Sequence, residues 1–526
     1  METGIVSRRA LLAAAASAVG TALPPARALH VCLPETSLWD GEDSKDAAHQ
    51  VERRRQIYAQ TSGIYNVKDY GAKGDGKADD APAITAAVAA VPAQGGIIYF
   101  PPGIYLLNSS VLVHARTDIS FVGAGVSATR LQMNADGVTL LSFTGVCSRI
   151  AIRDLWLGAV APYSSGGSVS IVGTSTVHSD TFVIENVRLQ NTPAPWFSQY
   201  LDNSQVRNLR IMQTLPGAVR TVAILMNNCV SDTFTEVVMF STAGQFGAEG
   251  VLVDYDCDTI MFMNSQVLHA GTYGWRCART SGHTGPRLCR FTNCYAESCT
   301  NAGWMIQAAR DVRLSGCHAA VNGGNGFEIT GGDSVTVHNS LALENKQHGI
   351  LVTGGSGIIL EANTCSNNSQ ESNGRYSGIR MDNNVTGTRV VNNRCGDFIF
   401  ALAQKQKYGI SVGSVGTDSL LVMGNDLRGN AIGALDYSHG TNHVITRNLG
   451  LPAIGLSAVP VKASPFTYAN NDGATEVIYI AGGTVSAVAK NGVTVFTTTP
   501  CTVYLQPGDV VTVAYTVAPT VNKDQV

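Results

Sequence analysis

Charge is scarce in this chain: 36 Lys and Arg against 39 Asp and Glu, 14% of 526 residues, leave a formal net charge of −3. So thin and balanced a supply excludes the broad basic surface that nucleic acid demands. The one basic cluster, Arg53-Arg54-Arg55 beside Glu52, reads as the solvated face of a helix. Long apolar runs are missing too. The stretch Ala10 to Leu23 is too short and too weakly hydrophobic to span a bilayer, and no other stretch approaches that length, so no membrane partner is expected. No Cys-x-x-Cys pair occurs, and the spacings do not suggest a zinc site. Helix-periodic segments are almost absent. Against these absences stand 44% hydrophobic residues and 55 glycines, a composition that is neither disordered nor membrane-spanning.

The glycines are ordered. Gly250, Gly274, Gly303, Gly326, Gly349, Gly378, Gly409 and Gly433 each open a short apolar strand, at steps of 24, 29, 23, 23, 29, 31 and 24 residues. Self-similarity at such a period marks a solenoid whose single coil cannot bury its own apolar face. The coils carry β-branched strands, so the chain is expected to be all-β: a single-stranded parallel β-helix from about residue 110 to 450, right-handed by the usual rule for parallel crossovers. Asparagine or glycine also recurs 13 to 16 residues after most of these glycines, at Asn264, Gly316, Asn339, Asn363, Asn393, Asn425 and Asn448. Asparagine tolerates left-handed turns, and stacked Asn amides can bond from coil to coil. Twelve cysteines fit the same geometry. Cys294, Cys317, Cys365 and Cys395 fall at stacking positions and read as a reduced interior ladder, with one or two disulfides as the other reading.

The N-terminus reads as an address. Ser7-Arg8-Arg9-Ala10-Leu11-Leu12, an Ala-rich stretch and Ala26-Arg27-Ala28 resemble a twin-arginine export signal with its cleavage site, which implies a periplasmic or secreted protein. The expected organisation is a signal over 1–28, an N-terminal arm over 29–64, a β-helix domain over 65–455 and a C-terminal β-sandwich over 465–526. That last segment carries five strand-like runs and hairpin turns such as Lys490-Asn491-Gly492-Val493, and would either cover the open end of the solenoid or bind glycan. Within Tyr65 to Leu107, Gly-Asp-Gly at 74–76 makes a tight turn, and Asp80 is placed to cap a helix that starts near Pro82 and closes the N-terminal end.

Tyr65 to Leu107 and Lys405-Gln406-Lys407-Tyr408-Gly409-Ile410 resemble the pectate-lyase-like superfamily, specifically the rhamnogalacturonase/epimerase-like pectate lyase domain of bacterial enzymes and phage tailspikes. The resemblance implies the β-helix. Hydrolases, lyases, epimerases and binding spikes share this opening, so it does not set the reaction.

Strand alternation turns the residues two and four places after each opening glycine outward. Most of that face is neutral, but Glu328, Arg380 and Asp382 gather on it, with His348 on the coil between. Glu328 and Asp382 lie two coils apart, roughly 10 Å along the axis. Their side chains can hold the carboxyls about 6.5–9.5 Å apart, which suits inverting hydrolysis with a water between them. His348 before a glycine and Arg380 two places after the next resemble the polygalacturonase family of glycoside hydrolases. That family's aspartates fall here on Asn325 and Asn301-Ala302, and its lysine becomes Asp382. The candidate catalytic residues are therefore Glu328, Asp382, His348 and Arg380. The loops Ser366–Tyr376 and Asp397–Lys407 are long enough to wall a groove, so Arg276, Tyr376, Lys405, Lys407 and Tyr408 are candidate substrate contacts. Asp254, Asp256 and Asp258 are an alternative site able to hold Ca²⁺.

The expected partner is a polysaccharide, acidic or branched, and the leading reading is glycoside hydrolysis without a cofactor. A lyase performing β-elimination on a uronate, with His348 or Lys405 as base, Arg380 against the carboxylate and Ca²⁺ as an accompanying ion, is the second reading. A non-catalytic glycan-binding or adhesin-like solenoid is the third.

Overall fold

Short aliphatic strands and single-residue corners build each coil. The structure is a computed structural model that describes residue 53 and residues 62–525, except 248, 399–403, 414–415, 438–441, 452–455, 471–474 and 507. The twin-arginine segment over 1–28, and the arm up to residue 61 apart from residue 53, lie outside the described residues. Thirteen parallel strands, from Val111–His114 to Gly433–Asp436, stack in coil order as one sheet. The two remaining strands of a coil, such as Met261–Met263 and Gln266–Leu268, belong to a second sheet of 26 strands. They meet at one residue of positive φ, here Asn264 at 50°. The product is a right-handed parallel β-helix of about 13 turns.

Close approach explains the opening glycines. A methyl group on any of Gly250 to Gly409 would sit 2.5–3.0 Å from the carbonyl oxygen of the equivalent residue on the next coil. It would also press on interior side chains such as Ala296, Ala342 or Cys365. Gly433 is the exception among the eight. Tyr408 pairs with Gly433 and Ile410 with Leu435, so Ala434 occupies the equivalent position. Among the described residues no strand of this sheet follows that coil, and the collision that demands glycine disappears with it.

The asparagine positions separate into two adjacent columns. Asn264, Asn293, Gly316, Asn339 and Asn392 form the left-handed corner, with φ between 47° and 62°. One residue later the chain turns inward, and there Asn363, Asn393, Asn425 and Asn448 form a true amide ladder. Each of the first three donates both its backbone N–H and Nδ2 to the next Oδ1, over 2.8–3.0 Å. Expecting one column combined the two, because both a left-handed corner and an inner ladder accept asparagine. A second buried ladder, Asn322–Asn345–Asn368–Gln406, runs along another corner. Cys294 and Cys317 continue the first inner column, and Cys365 faces Cys395 directly across two strands. All cysteines among the described residues are free thiols, ten of the eleven buried. Aromatic stacks fill the bore beside them: Phe234, Phe262 and Phe291 in one row, Trp275, Trp304 and Phe327 in another.

The N-terminal end is closed by α1 (Ala81–Ala90), which buries Ala81, Ile84, Ala87 and Val88. Asp80 occupies its N-cap position but makes no capping bond. Its carboxylate, almost fully buried, instead accepts the Lys73 and Gly74 N–H groups at 2.6 and 3.0 Å and ties the preceding loop to the helix. Asp79 bonds the Ala81 N–H at 3.1 Å in its place. The C-terminal segment forms two four-stranded antiparallel sheets around its own core of Phe466, Ile478, Ile480, Val488, Val503 and Val513. Asn491 and Gly492, both at positive φ, make the expected tight hairpin.

Candidate functional site

The thirteen-strand sheet carries the candidate residues on its outer side. Arg276, Met305, Glu328, Leu351, Arg380 and Ser411 are consecutive cross-strand partners in one row. Thr330, Thr353 and Asp382 form the parallel row two residues on. Alternation explains the exposure: Ile379 and Met381, either side of Arg380, are fully buried.

The downstream half of the site is tightly joined. Arg380 Nε lies 2.9 Å from Asp382 Oδ2, and its Nη1 reaches Ser411 Oγ at 3.4 Å. This pair lies flat across Gly413, where a Cβ would overlap both side chains. His348 Nδ1 accepts the Ser377 backbone N–H at 2.9 Å, which leaves the ring proton on Nε2. Burial, aided by the Arg380 charge, pushes the ring down to about 4, so it is uncharged at neutral pH. Tyr376 packs against it edge-on with centroids 5.0 Å apart. Asn325 links this half to Glu328: its Nδ2 donates to Glu328 Oε2 at 3.0 Å while its Oδ1 accepts the His348 N–H at 3.0 Å. Glu328, Arg380 and Asp382 thus share one outward face, and Asn325 joins Glu328 to His348.

The upstream half contains two residues that sequence reasoning missed. Arg276 donates through Nη1 to Glu249 Oε1 at 2.7 Å and through Nη2 to Gln307 Oε1 at 3.0 Å. Its guanidinium lies 5.6 Å from the Tyr273 ring. Glu249 is nine-tenths buried, and burial raises its carboxyl. Among the described residues Glu249 Oε2 and Arg276 Nε have no hydrogen-bond partner. Burial and then the charge of Glu328 raise the Tyr273 phenol, which ties this half to the first. Glu249, Tyr273, Asn325 and His348 all stand immediately before an opening glycine. That column held the missing signal.

Of the other candidates, the two loops do meet: Gly374 N–H bonds Lys405 O and Lys407 N–H bonds Tyr376 O, both at 2.7 Å. Tyr376 OH is held by Glu371, Lys405 Nζ by Gln370, and Lys407 Nζ lies 5.3 Å from the Tyr408 ring. The aspartates at 254, 256 and 258 do not converge. Asp254 accepts from Thr280, Asp256 from His283 and Thr284, and Asp258 from Arg287 on the following coil. No group of three or more metal-ligating side chains is assembled among the described residues. The chain's one His-x-x-x-His spacing, His439 and His443, also went unnoticed in the sequence; His439 is outside the described residues, and His443 Nδ1 accepts the Leu420 N–H at 3.3 Å.

Residues 64–149 match the family described as rhamnogalacturonase A/epimerase, pectate lyase-like, and residues 222–395 and 277–449 match the right-handed beta helix region. Over these residues the chain is similar to the pectate-lyase-like family and to right-handed β-helix proteins. Among curated relatives of this β-helix, alginate lyase 7 of Azotobacter vinelandii is 44% identical over 75 residues, 13% of this chain and 9% of that protein. Mannuronan C5-epimerase AlgE6 of the same organism is 37% identical over 105 residues, 18% and 12% of the two chains. The chain thus spans about a tenth of the length of these relatives. Among solved structures, the AlgE6 A-module superposes with a TM-score of 0.53 at 19% identity, over 74% of this chain and 99% of that one. The bacteriophage Phi29 gene product 12 N-terminal fragment does so with 0.54 at 12%, over 77% and 74%. At such identities the likeness is one of fold. No helix among the described residues is long and apolar enough to cross a membrane.

Proposed function

We propose that this β-helix is an exported enzyme that cleaves a polysaccharide laid along its thirteen-strand face, by hydrolysis between Glu328 and Asp382. One observation carries the reading: two carboxylates two coils apart and an arginine share one outward face, and Asn325 joins Glu328 to an uncharged histidine. Asp382, ion-paired to Arg380, is suited to activate a water. Glu328, whose partner is a neutral amide, is suited to protonate the departing oxygen. His348 contributes an Nε2–H donor to a sugar hydroxyl. A carboxyl separation of about 6.5–9.5 Å would make the enzyme inverting.

A second reading is favoured by the similar proteins, an alginate lyase and a mannuronan C5-epimerase. Elimination or epimerisation on a uronate needs a base for the sugar C–H and a cation against the carboxylate. Arg380 would supply the cation and Lys405 the base, because His348 has its Nδ1 taken by the Ser377 N–H and its proton on Nε2. The two readings separate in one assay across a polysaccharide panel. Hydrolysis yields new reducing ends alone, whereas elimination also yields the ultraviolet absorbance of an unsaturated uronate. Glu328→Gln and Asp382→Asn should each lower the rate by about 10²–10⁴ with little change in thermal stability. Asp254→Asn, whose carboxylate is occupied by Thr280, should do much less. Full activity in both amide variants would remove the assignment.

A further inference from the structure

Proteins hold the carboxylates of acidic glycans with arginine, because the guanidinium fork matches a carboxylate through two hydrogen bonds. Both arginines on this face are already committed to carboxylates of the protein. Arg276 is bonded to Glu249 at 2.7 Å and to Gln307 at 3.0 Å; Arg380 is bonded to Asp382 at 2.9 Å and to Ser411 at 3.4 Å. Neither is a loose surface bridge, since the arginine side chains are only 28% and 25% exposed and their partners 9% and 24%. For a uronate to capture Arg276, Glu249 would be left nine-tenths buried without its cation, a strongly unfavourable exchange.

Along the row itself the remaining residues add no positive charge. Glu328 brings no cation to the row and makes no ion pair among the described residues. His348 is uncharged. The cations of the walling loops lie outside the row: Lys405 is bonded to Gln370, Lys407 lies over the Tyr408 ring, and Arg375 is paired with Glu371 and lies over the Tyr376 ring. Along the row each arginine is matched by the carboxylate it is paired with, and a polyanion meets no excess of positive charge there. What the face does offer is apolar and hydroxyl-binding surface. Leu351, half-buried, lies between the charged residues of the row, and Tyr273 and Tyr376 flank it. Sugar ring faces pack on such groups, and the carboxylates accept hydroxyl hydrogens.

We infer that the glycan stretch lying across the coils from Arg276 to Arg380 is uncharged, built of neutral hexoses or N-acetylated sugars rather than uronates. The inference rests on the proposed polysaccharide reading of the same face and narrows its substrate class. Native gels cast with one polysaccharide each test it: neutral glucan, mannan, galactan and N-acetylated glycans on one side, alginate and polygalacturonate on the other, at low and high salt. Wild type and the double variant Glu249→Gln, Asp382→Asn are run together, with a cooperative thermal transition checking the variant's fold.

Wild type should be retarded by a neutral polysaccharide and at least tenfold less by either polyuronate. The double variant, with both arginines released, should gain retardation by polyuronates that high salt abolishes. Wild-type retardation by alginate or polygalacturonate equal to that by a neutral glycan would overturn this inference and leave the polysaccharide reading standing. Neutral binding by wild type with no gain in the double variant would overturn the two ion pairs as the cause of the selectivity. No retardation of either form by any polysaccharide would overturn both the inference and the reading beneath it.

Discussion

Replacing Gly413 by alanine should separate catalysis from stability at this site. The added methyl would occupy the space taken by the Arg380 guanidinium and the Asp382 carboxylate. Those groups are the ends of flexible side chains, so they would swing away while the strand stays. The backbone at 413 is outside the left-handed region and accepts alanine without strain. Disrupting a partly exposed ion pair costs about 0.2–1 kcal/mol. Against this, alanine restricts the unfolded chain and returns about 0.4–1 kcal/mol. The two effects nearly cancel, and the thermal midpoint should hardly move. Activity should not survive so well: a displaced Asp382 no longer meets the water, and the rate on a cleaved polysaccharide should fall by about 10²-fold. Steady-state rates and thermal melts of the same preparation check both halves. An unchanged rate with an unchanged melt would refute the role of the Arg380–Asp382 pair, and a steep loss of stability would refute the description of Gly413 as a cradle for side chains alone.

Three further outcomes follow from the framework. Asn393→Ala should destabilise the protein by about 3 kcal/mol in denaturant melts, because it strips acceptors from the Asn363 N–H and amide and a donor from Leu360 O. Asp80→Ala should lower stability by about 2 kcal/mol by releasing the Lys73 and Gly74 N–H groups, again read by denaturant melts. For His348, whose ring falls from 6.5 to about 4, the unfolded chain takes up the proton first as pH drops. Its stabilising contribution is complete above about pH 6.5 and is lost on the way down to about 4. His348→Asn, which keeps an acceptor for the Ser377 N–H, should flatten that part of the stability–pH curve in melts between pH 4 and 7.

The glycine spacing exposed the solenoid because one local collision, Cβ against the next coil's carbonyl, repeats at every turn from Gly250 to Gly409. Where that neighbour is missing, at Ala434, the spacing misled by one residue. Asn339 and Asn363 looked alike in sequence although one is a corner and the other an interior ladder residue, since nothing local distinguishes a turn amide from a stacked one. Simple alternation brought out Glu328, Arg380 and Asp382. It could not reveal Glu249, Tyr273 or Asn325, which stand at the irregular ends of loops and reach the face only after the coils stack. Asp79 and Asp80 exchanged roles for a similar reason: which carboxylate caps α1 depends on where the Lys73–Gly74 loop passes, a tertiary matter.

The inner asparagine ladder has a direction, because each amide donates forward and accepts from behind. Any coil that brings one asparagine to that column presents the same plug and the same socket as its neighbours. A whole coil can therefore be spliced in or cut out without leaving an unmatched amide, whereas half a coil cannot. Growth of this kind would lengthen the outer face in increments of one strand spacing, about 4.8 Å. It would also carry Arg276 and Arg380 further apart without disturbing the partner each one holds. The ladder thus turns the bore of the solenoid into a ruler, and the reach of the groove into a quantity that evolution or an engineer can set by counting turns.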